Sequence, residues 1–228
     1  MQDMSSTPLP EVPAPVVQDE RVQGQQHYGN FGKRVLDILI VVVSLPLTLP
    51  VLAVLYVLAG RDGGPAFFGH ERVGRYGVTF KCWKVRSMVT DSQNVLRTHL
   101  RNNPNAAAEW ARDYKLTDDP RVTRFGRFIR KTSLDELPQI INVLKGEMSI
   151  VGPRPVVPDE LKKYGSSARS YLDQKPGITG LWQVSGRNSV SYRERVAMDV
   201  EYGLTCSLAL DVAIIGKTFV AVLARTGR

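Results

Sequence analysis

Asp135 and Glu136 stand side by side in the stretch KTSLDELPQ, directly after a segment that spaces Arg121, Arg124, Arg127 and Arg130 three residues apart. Two adjacent carboxylates beside several guanidinium groups suit phosphoryl chemistry on a diphosphate. Mg2+ is commonly held by one or two protein carboxylates plus substrate phosphates rather than by a full protein cage. One carboxylate can ligate the ion while the other attacks phosphorus and forms an acyl phosphate. Arginines and metal would lower both carboxyl pKa values and stabilise charge on the equatorial oxygens. The same residues admit a purely local reading. Ser133 followed three residues later by Glu136 spells a capping box. On that register Pro138 falls inside the helix and forfeits a bond. A start near Leu137, with Pro138 in first position, avoids the loss and frees the pair. Either register leaves both carboxylates at a helix N-terminus, where peptide dipoles favour anions.

The next candidate follows in Gly152-Pro153-Arg154-Pro155. Two prolines around an arginine fix the backbone and aim one guanidinium, which suits bidentate phosphate recognition; the plain alternative is a rigid surface turn. Arg187, in SGRN, raises the same question with less support from its neighbours. Gly216-Lys217-Thr218 ends like a phosphate loop, but that pattern needs glycine where Asp211 stands, and no G-x-G-x-x-G fingerprint occurs. Cys82 and Cys206 are isolated, and His27, His70 and His99 are scattered. That excludes a disulfide framework and cysteine or histidine metal chemistry, and it fits a reducing compartment.

The elements that must position these residues come next. The chain of 228 residues has room for one sizeable domain, and its net charge of +8 favours acidic partners: nucleic acid, an anionic membrane face or phosphorylated substrates. Residues 1–30 are rich in Pro and Gln without apolar period and predict a disordered tail. Residues 31–60 contain the apolar run Val35 to Ala59, with Pro46 and Pro50 inside it and Lys33, Arg34 and Arg61 flanking it. Its length suits a membrane helix, which needs about 20 such residues. Two prolines free carbonyls that lipid cannot satisfy, and positive charge at both ends suits a broken, re-entrant helix returning to the cytoplasmic face. A single kinked span and a signal peptide or soluble core helix are the alternatives. Asp37, four residues after Lys33 and three after Arg34, is placed for neutralisation by them at headgroup level.

Residues 61–228 predict an α+β, mainly helical domain with one small β-hairpin. Gly74 and Gly77 mark a turn with alternation on through Cys82, and 91–114 reads as a polar helix interrupted near Pro104. Residues 121–130 read as a basic amphipathic, interfacial helix, and Pro138 to Lys145 as a short helix ended by Gly146. Residues 191–202 and 208–223 close the chain as helices.

The strings FKCWKVRSM, RKTSLDELPQIINVLKGEMSIVGPRP and PGITGLWQVSGRN, in that order, resemble the bacterial sugar transferases, the monotopic polyprenyl-phosphate phosphoglycosyl transferases. The resemblance runs from about Phe31 to Thr218. It implies a re-entrant helix leading into a catalytic domain on the cytoplasmic face of the bacterial inner membrane, in contact with its lipid. It implies Asp135 as nucleophile and Glu136 as principal Mg2+ ligand, acting on a UDP-sugar with release of UMP. Undecaprenyl phosphate would then accept the phosphosugar, beginning exopolysaccharide synthesis with galactose or glucose phosphate. Arg130, Arg154 and Arg187 match phosphate or nucleotide contacts, and Lys84 and Asp211 match recurrent polar positions. Lys33, Arg34 and Asp37 match the charged membrane entry, and Pro50 matches the helix-breaking proline. Leu49 departs from the pattern: the family usually has Ser there, leaving Thr48 or Ser44 to bond a freed carbonyl.

Two other classes compete with the enzyme. A non-catalytic adaptor on anionic lipid explains the charge but not the clustered carboxylates and arginines. A nucleic-acid binder lacks interleaved surface aromatics and leaves the apolar run unexplained, so nucleic acid is not an expected partner. Oligomeric state is left open, a homo-oligomer included.

Overall fold

The apolar run folds as α1 (Lys33–Gly60), 28 residues long, after one π-helical turn at Tyr28–Gly32. The structure, a computed structural model, describes residues 28–113, 116–186 and 190–223. The expected tail thus lies outside the described residues except at its end, where the Tyr28 hydroxyl donates to Asp211 Oδ2 at 2.6 Å. Pro46 and Pro50 both lie inside α1, so one helix passes through them where the sequence predicts a break. The hydroxyls expected to compensate do so only in part. Ser44 Oγ donates to Val41 O at 2.8 Å and Thr48 Oγ1 to Ser44 O at 3.0 Å, whereas the prolines free the carbonyls of Val42 and Pro46.

Packing explains how the helix holds together there. Asp37, Val41, Leu52, Leu55 and Ala59 are buried against the remainder of the chain, from its first turns to its last. Val43, Leu47, Leu49, Val54, Tyr56 and Val57 on the other side are more than half exposed.

The glycine-marked turn gives the antiparallel hairpin β1 (Phe67–Val73) and β2 (Thr79–Val85), with Arg72 opposite Phe80 and Phe68 opposite Lys84. Two polar helices follow, α2 (Ser92–Asn102) and α3 (Pro104–Asp113), divided where Pro104 predicts. The basic helix α4 (Arg124–Lys131) starts three residues later than its arginine spacing suggests. Thr123 is its N-cap, accepting from Gly126 N at 2.8 Å. Arg121 stays outside, paired with Asp119 at 2.6 Å and stacked 4.9 Å over the Trp110 ring.

A 3-10 turn, Leu134–Glu136, leads to α5 (Gln139–Lys145), which ends at Gly146. Beyond it β3 (Ser149–Val151) pairs in parallel with β4 (Gly177–Thr179), a second small sheet that the sequence did not announce. Three residues are too few for a legible period. Between these strands lie α6 (Pro158–Leu161), a 3-10 stretch Lys162–Ser167 and α7 (Ala168–Leu172). The chain closes with α8 (Leu181–Ser185), α9 (Tyr192–Thr205) and α10 (Leu208–Leu223). The fold is α+β and mainly helical, as expected, with one parallel pair added to the hairpin.

Two neighbouring cores join these parts. Val41 and Leu52 pack with Phe80, Cys82, Ile140, Val143 and Met148. Leu55 and Ala59 pack with Ala66, Val85 and Ile129. Both include Phe67 and Leu137 at their edges, so α1, the hairpin, α4 and α5 form one body beneath the carboxylate turn.

Candidate active site

Ser133 adopts a left-handed backbone, φ 57° and ψ 17°, and its side chain makes no capping bond. For a non-glycine residue that conformation costs roughly 1–2 kcal/mol. It stops the carboxylates from simply extending α4. The capping-box register is not adopted, and the later start is met to within one residue: Asp135 and Glu136 are free of α5 in their own 3-10 turn, and Pro138 is the N-cap residue of that helix. The reciprocal capping box occurs instead at Ser191 and Glu194, opening α9.

Lys84 reaches this turn from β2. Its Nζ lies 2.5 Å from Glu136 Oε1 and 3.8 Å from Asp135 Oδ2. The strand is held in place by Asn142 of α5, which is fully buried. Trp83 N donates to Asn142 Oδ1 at 3.1 Å, and Asn142 Nδ2 donates to Lys81 O at 2.8 Å and Glu147 Oε2 at 2.6 Å. A side-chain amide thereby satisfies a strand edge and sets Lys84 against the carboxylates.

Arg130 approaches from α4, with Nε donating to Ser87 Oγ at 2.9 Å. This contact needs Gly126, because a Cβ there would lie 1.9 Å from Ser87 O. Arg154 arrives on the loop after β3. That loop can hug β4 because a Cβ on Gly177 would lie 2.1 Å from Gly152 N. Gly152 N donates to Thr179 O and Gly177 N to Pro153 O, each at 2.8 Å. Arg154 and Glu136 then line one cleft with Arg72, Lys84, Cys82 and Gln139.

The two carboxylates have different environments. Burial pushes Asp135 above its ordinary pKa, with the Glu136 charge adding to it, while Lys84 and Arg130 oppose the rise. Burial also works against the charge on Glu136, but Lys84, then Arg154 and Arg72, outweigh it and hold Glu136 below the usual range. The surrounding cations alone lower Glu136, while at Asp135 desolvation outweighs them. Adjacent acids driven apart suit a basic nucleophile beside a permanently anionic ligand.

Among the described residues no group of three or more His, Cys, Asp or Glu side chains forms a metal cage. Glu136 in the lining of a cationic cleft, with Asp135 adjacent to it, fits the sparse donor set Mg2+ takes when phosphates complete its shell.

Asp135, Glu136, Lys84, Arg130 and Arg154 are thus brought together as the sequence predicts. Asp211 is not. It is fully buried apart from the cleft, bound by Lys33 Nζ and Tyr28 on Oδ2 and by Tyr202 on Oδ1, all at 2.6 Å. Those donors offset the cost of burying its carboxylate. Asp37 makes no ion pair with Lys33 or Arg34, although the Lys33 charge acts on it, and it accepts from Ser149 Oγ at 2.9 Å and Ile150 N at 2.8 Å. Arg34 donates to Val143 O at 2.5 Å and Leu144 O at 2.8 Å, at the end of α5. Arg187 lies outside the described residues. Sequence reasoning missed Arg72, Gln139 and Asn142. The hairpin register alone could have found Arg72, since it puts Arg72 and Lys84 on the same face.

The family model described as bacterial sugar transferase matches residues 28–225. Over 199 residues the chain is 55% identical to the "Undecaprenyl-phosphate galactose phosphotransferase" of Salmonella typhimurium, covering 87% of this chain and 42% of that protein. It is 54% identical over 202 residues to the "UDP-galactose-lipid carrier transferase" of Erwinia amylovora, covering 89% of this chain and 42% of the relative. The chain therefore spans about two-fifths of the length of those two relatives. It is 50% identical over 200 residues to the "Exopolysaccharide production protein ExoY" of Sinorhizobium fredii, covering 87% and 88% of the two chains. The chain belongs to the bacterial sugar transferase family.

Proposed function

We propose that this bacterial sugar transferase moves a hexose 1-phosphate, galactose phosphate in the first instance, from a UDP-sugar to undecaprenyl phosphate. The relatives' names support the acceptor, the hexose and a place in exopolysaccharide synthesis. The observation that carries the mechanism is local: Asp135 lies beside Glu136, Lys84 and Arg130, and Glu136 and Lys84 line a cleft together with Arg154 and Arg72.

In the first displacement an Asp135 carboxylate oxygen attacks the phosphorus that bears the sugar. The bond from that phosphorus to the bridging oxygen breaks, and UMP leaves with the electron pair. Asp135 suits attack because burial disfavours its charge and so raises its basicity. In the second displacement a phosphate oxygen of undecaprenyl phosphate attacks the same phosphorus. The acyl phosphate bond breaks, the lipid carries a diphosphate-linked sugar, and Asp135 returns as a carboxylate. No net proton is exchanged. Lys84 and the arginines offset charge on the phosphoryl oxygens in both steps. Mg2+, when held by Glu136 with Asp135, would neutralise donor phosphate charge. Two displacements let a soluble donor and a membrane-bound acceptor visit one site in turn.

The arrangement of α1 supports the re-entrant reading over a straight span. A helix crossing the bilayer perpendicularly would leave the domain at one end. Here Lys33, Arg34 and Asp37 at its start and Leu55 and Ala59 near its end all contact the same body. Its exposed apolar side then lies in the headgroup-proximal bilayer, at the cytoplasmic face of the inner membrane.

Purified protein in detergent or lipid, given UDP-galactose, Mg2+ and undecaprenyl phosphate, should release UMP and form lipid-linked sugar. Asp135→Asn should reduce release to background. Near-normal turnover in that variant would exclude Asp135 as the nucleophile.

A further inference from the structure

Arg72 is the cleft residue whose neighbourhood is least explained by packing. Its side chain is 18% exposed, and the nearest carboxylate, Glu160 Oε2, is 4.0 Å away. Burial, followed by the neighbouring Arg154 guanidinium, works against its charge. Arg154 makes no hydrogen bond or ion pair among the described residues, and Glu136 is already engaged by Lys84 at 2.5 Å. Two guanidinium groups therefore line one cleft: Arg154 exposed to solvent, and Arg72 half-buried with Glu160 at 4.0 Å.

The backbone beneath them is tied together. Val73, next to Arg72, and Val156, two residues past Arg154, form an antiparallel bridge, with Val73 N donating to Val156 O at 2.9 Å. The Tyr171 hydroxyl closes the same junction. It donates to Val73 O at 2.7 Å and accepts from Val156 N at 3.2 Å, and the side chain is buried to 1%. The two arginine-bearing segments thus have a fixed separation.

We propose that Arg72 and Arg154 form a two-point guanidinium clamp on the donor's diphosphate, with Tyr171 as the positioning residue that sets their spacing. The assignment deepens the sugar-nucleotide reading of the cleft and rests on it. Guanidinium is suited to the task because its planar fork meets two phosphate oxygens at once, which an ammonium cannot.

The test uses the full chain in detergent with Mg2+ and inorganic pyrophosphate as the probe, followed by calorimetry, with UDP-galactose kinetics alongside. Arg72→Gln should weaken pyrophosphate binding 10- to 100-fold and raise KM for UDP-galactose more than it lowers kcat. Arg72→Lys should recover part of the affinity. Tyr171→Phe should weaken binding several-fold, and the loss should be less than additive with Arg72→Gln. Unchanged pyrophosphate affinity in Arg72→Gln would overturn the clamp. So would equal losses in the Gln and Lys variants accompanied by a lowered melting temperature, which is the mark of a structural arginine. Strictly additive losses would overturn the role given to Tyr171. The parent reading fails separately, through Asp135→Asn turnover, which pyrophosphate affinity does not report.

Discussion

Lys84 is the residue on which the two carboxylates depend most directly. It is close to both, and its charge opposes the burial cost of each. The sequence marks it only as a polar position in a strand; the fold makes it the bridge between the proposed nucleophile and the proposed metal ligand. Replacing it should therefore do more than remove a surface charge. Lys84→Gln is expected to lower kcat for UMP release on the order of 10²- to 10³-fold, as loss of one positioned electrostatic donor commonly does. Lys84→Arg should keep the charge but misplace it, giving an intermediate rate. A Gln variant with wild-type kcat would mean that Lys84 is only a structural counter-ion.

The site depends on helix placement as much as on side chains, and α4 shows why. Its arginines read from sequence as a basic stripe, but only the close approach at Gly126 sets Arg130 on Ser87. Gly126→Ala should push α4 away from Ser87 O and cost about 1–3 kcal/mol, as overpacking of a close contact does. Urea unfolding would measure the loss, and UMP release should fall with it. An Ala variant of unchanged stability and activity would show that the helix can shift without consequence. Asn142 does the corresponding work for the hairpin, where an apolar side chain would leave Trp83 N and Lys81 O unpaired.

For the molecule as a whole, the C-terminal elements carry a buried acid that links stability to pH. Asp199 of α9 is 2% exposed, and among the described residues its side-chain donor is Tyr164 Oη at 2.7 Å. Burial pushes its pKa up to about 7, against the lowering effect of that hydrogen bond. The folded protein therefore holds this proton where the unfolded chain, with an ordinary value near 4, has released it. Stability from this group is complete below about pH 4 and is lost as pH rises toward 7. Asp199→Asn should flatten that part of the stability curve, read from denaturant midpoints at a series of pH values. A wild-type curve that rises across the same window in parallel with that of the variant would contradict the buried-proton account.

Residue order and type alone were enough to propose a chemistry. Asp135 beside Glu136, the proline-framed Arg154, the apolar run and the hairpin turn are all local patterns, and local patterns survive in one dimension. Their partners were not legible because they are joined by contacts distant in sequence. The segments that carry Arg72 and Arg154 meet at Tyr171, through Val73 and Val156, and Lys33 pairs with Asp211 and not with the nearer Asp37. Ser133 looked like a cap and became a left-handed link, because the site needed a new turn after α4. Side-chain identity states which charges exist; burial and long-range packing decide which of them face each other, and so how differently the two neighbouring acids are held.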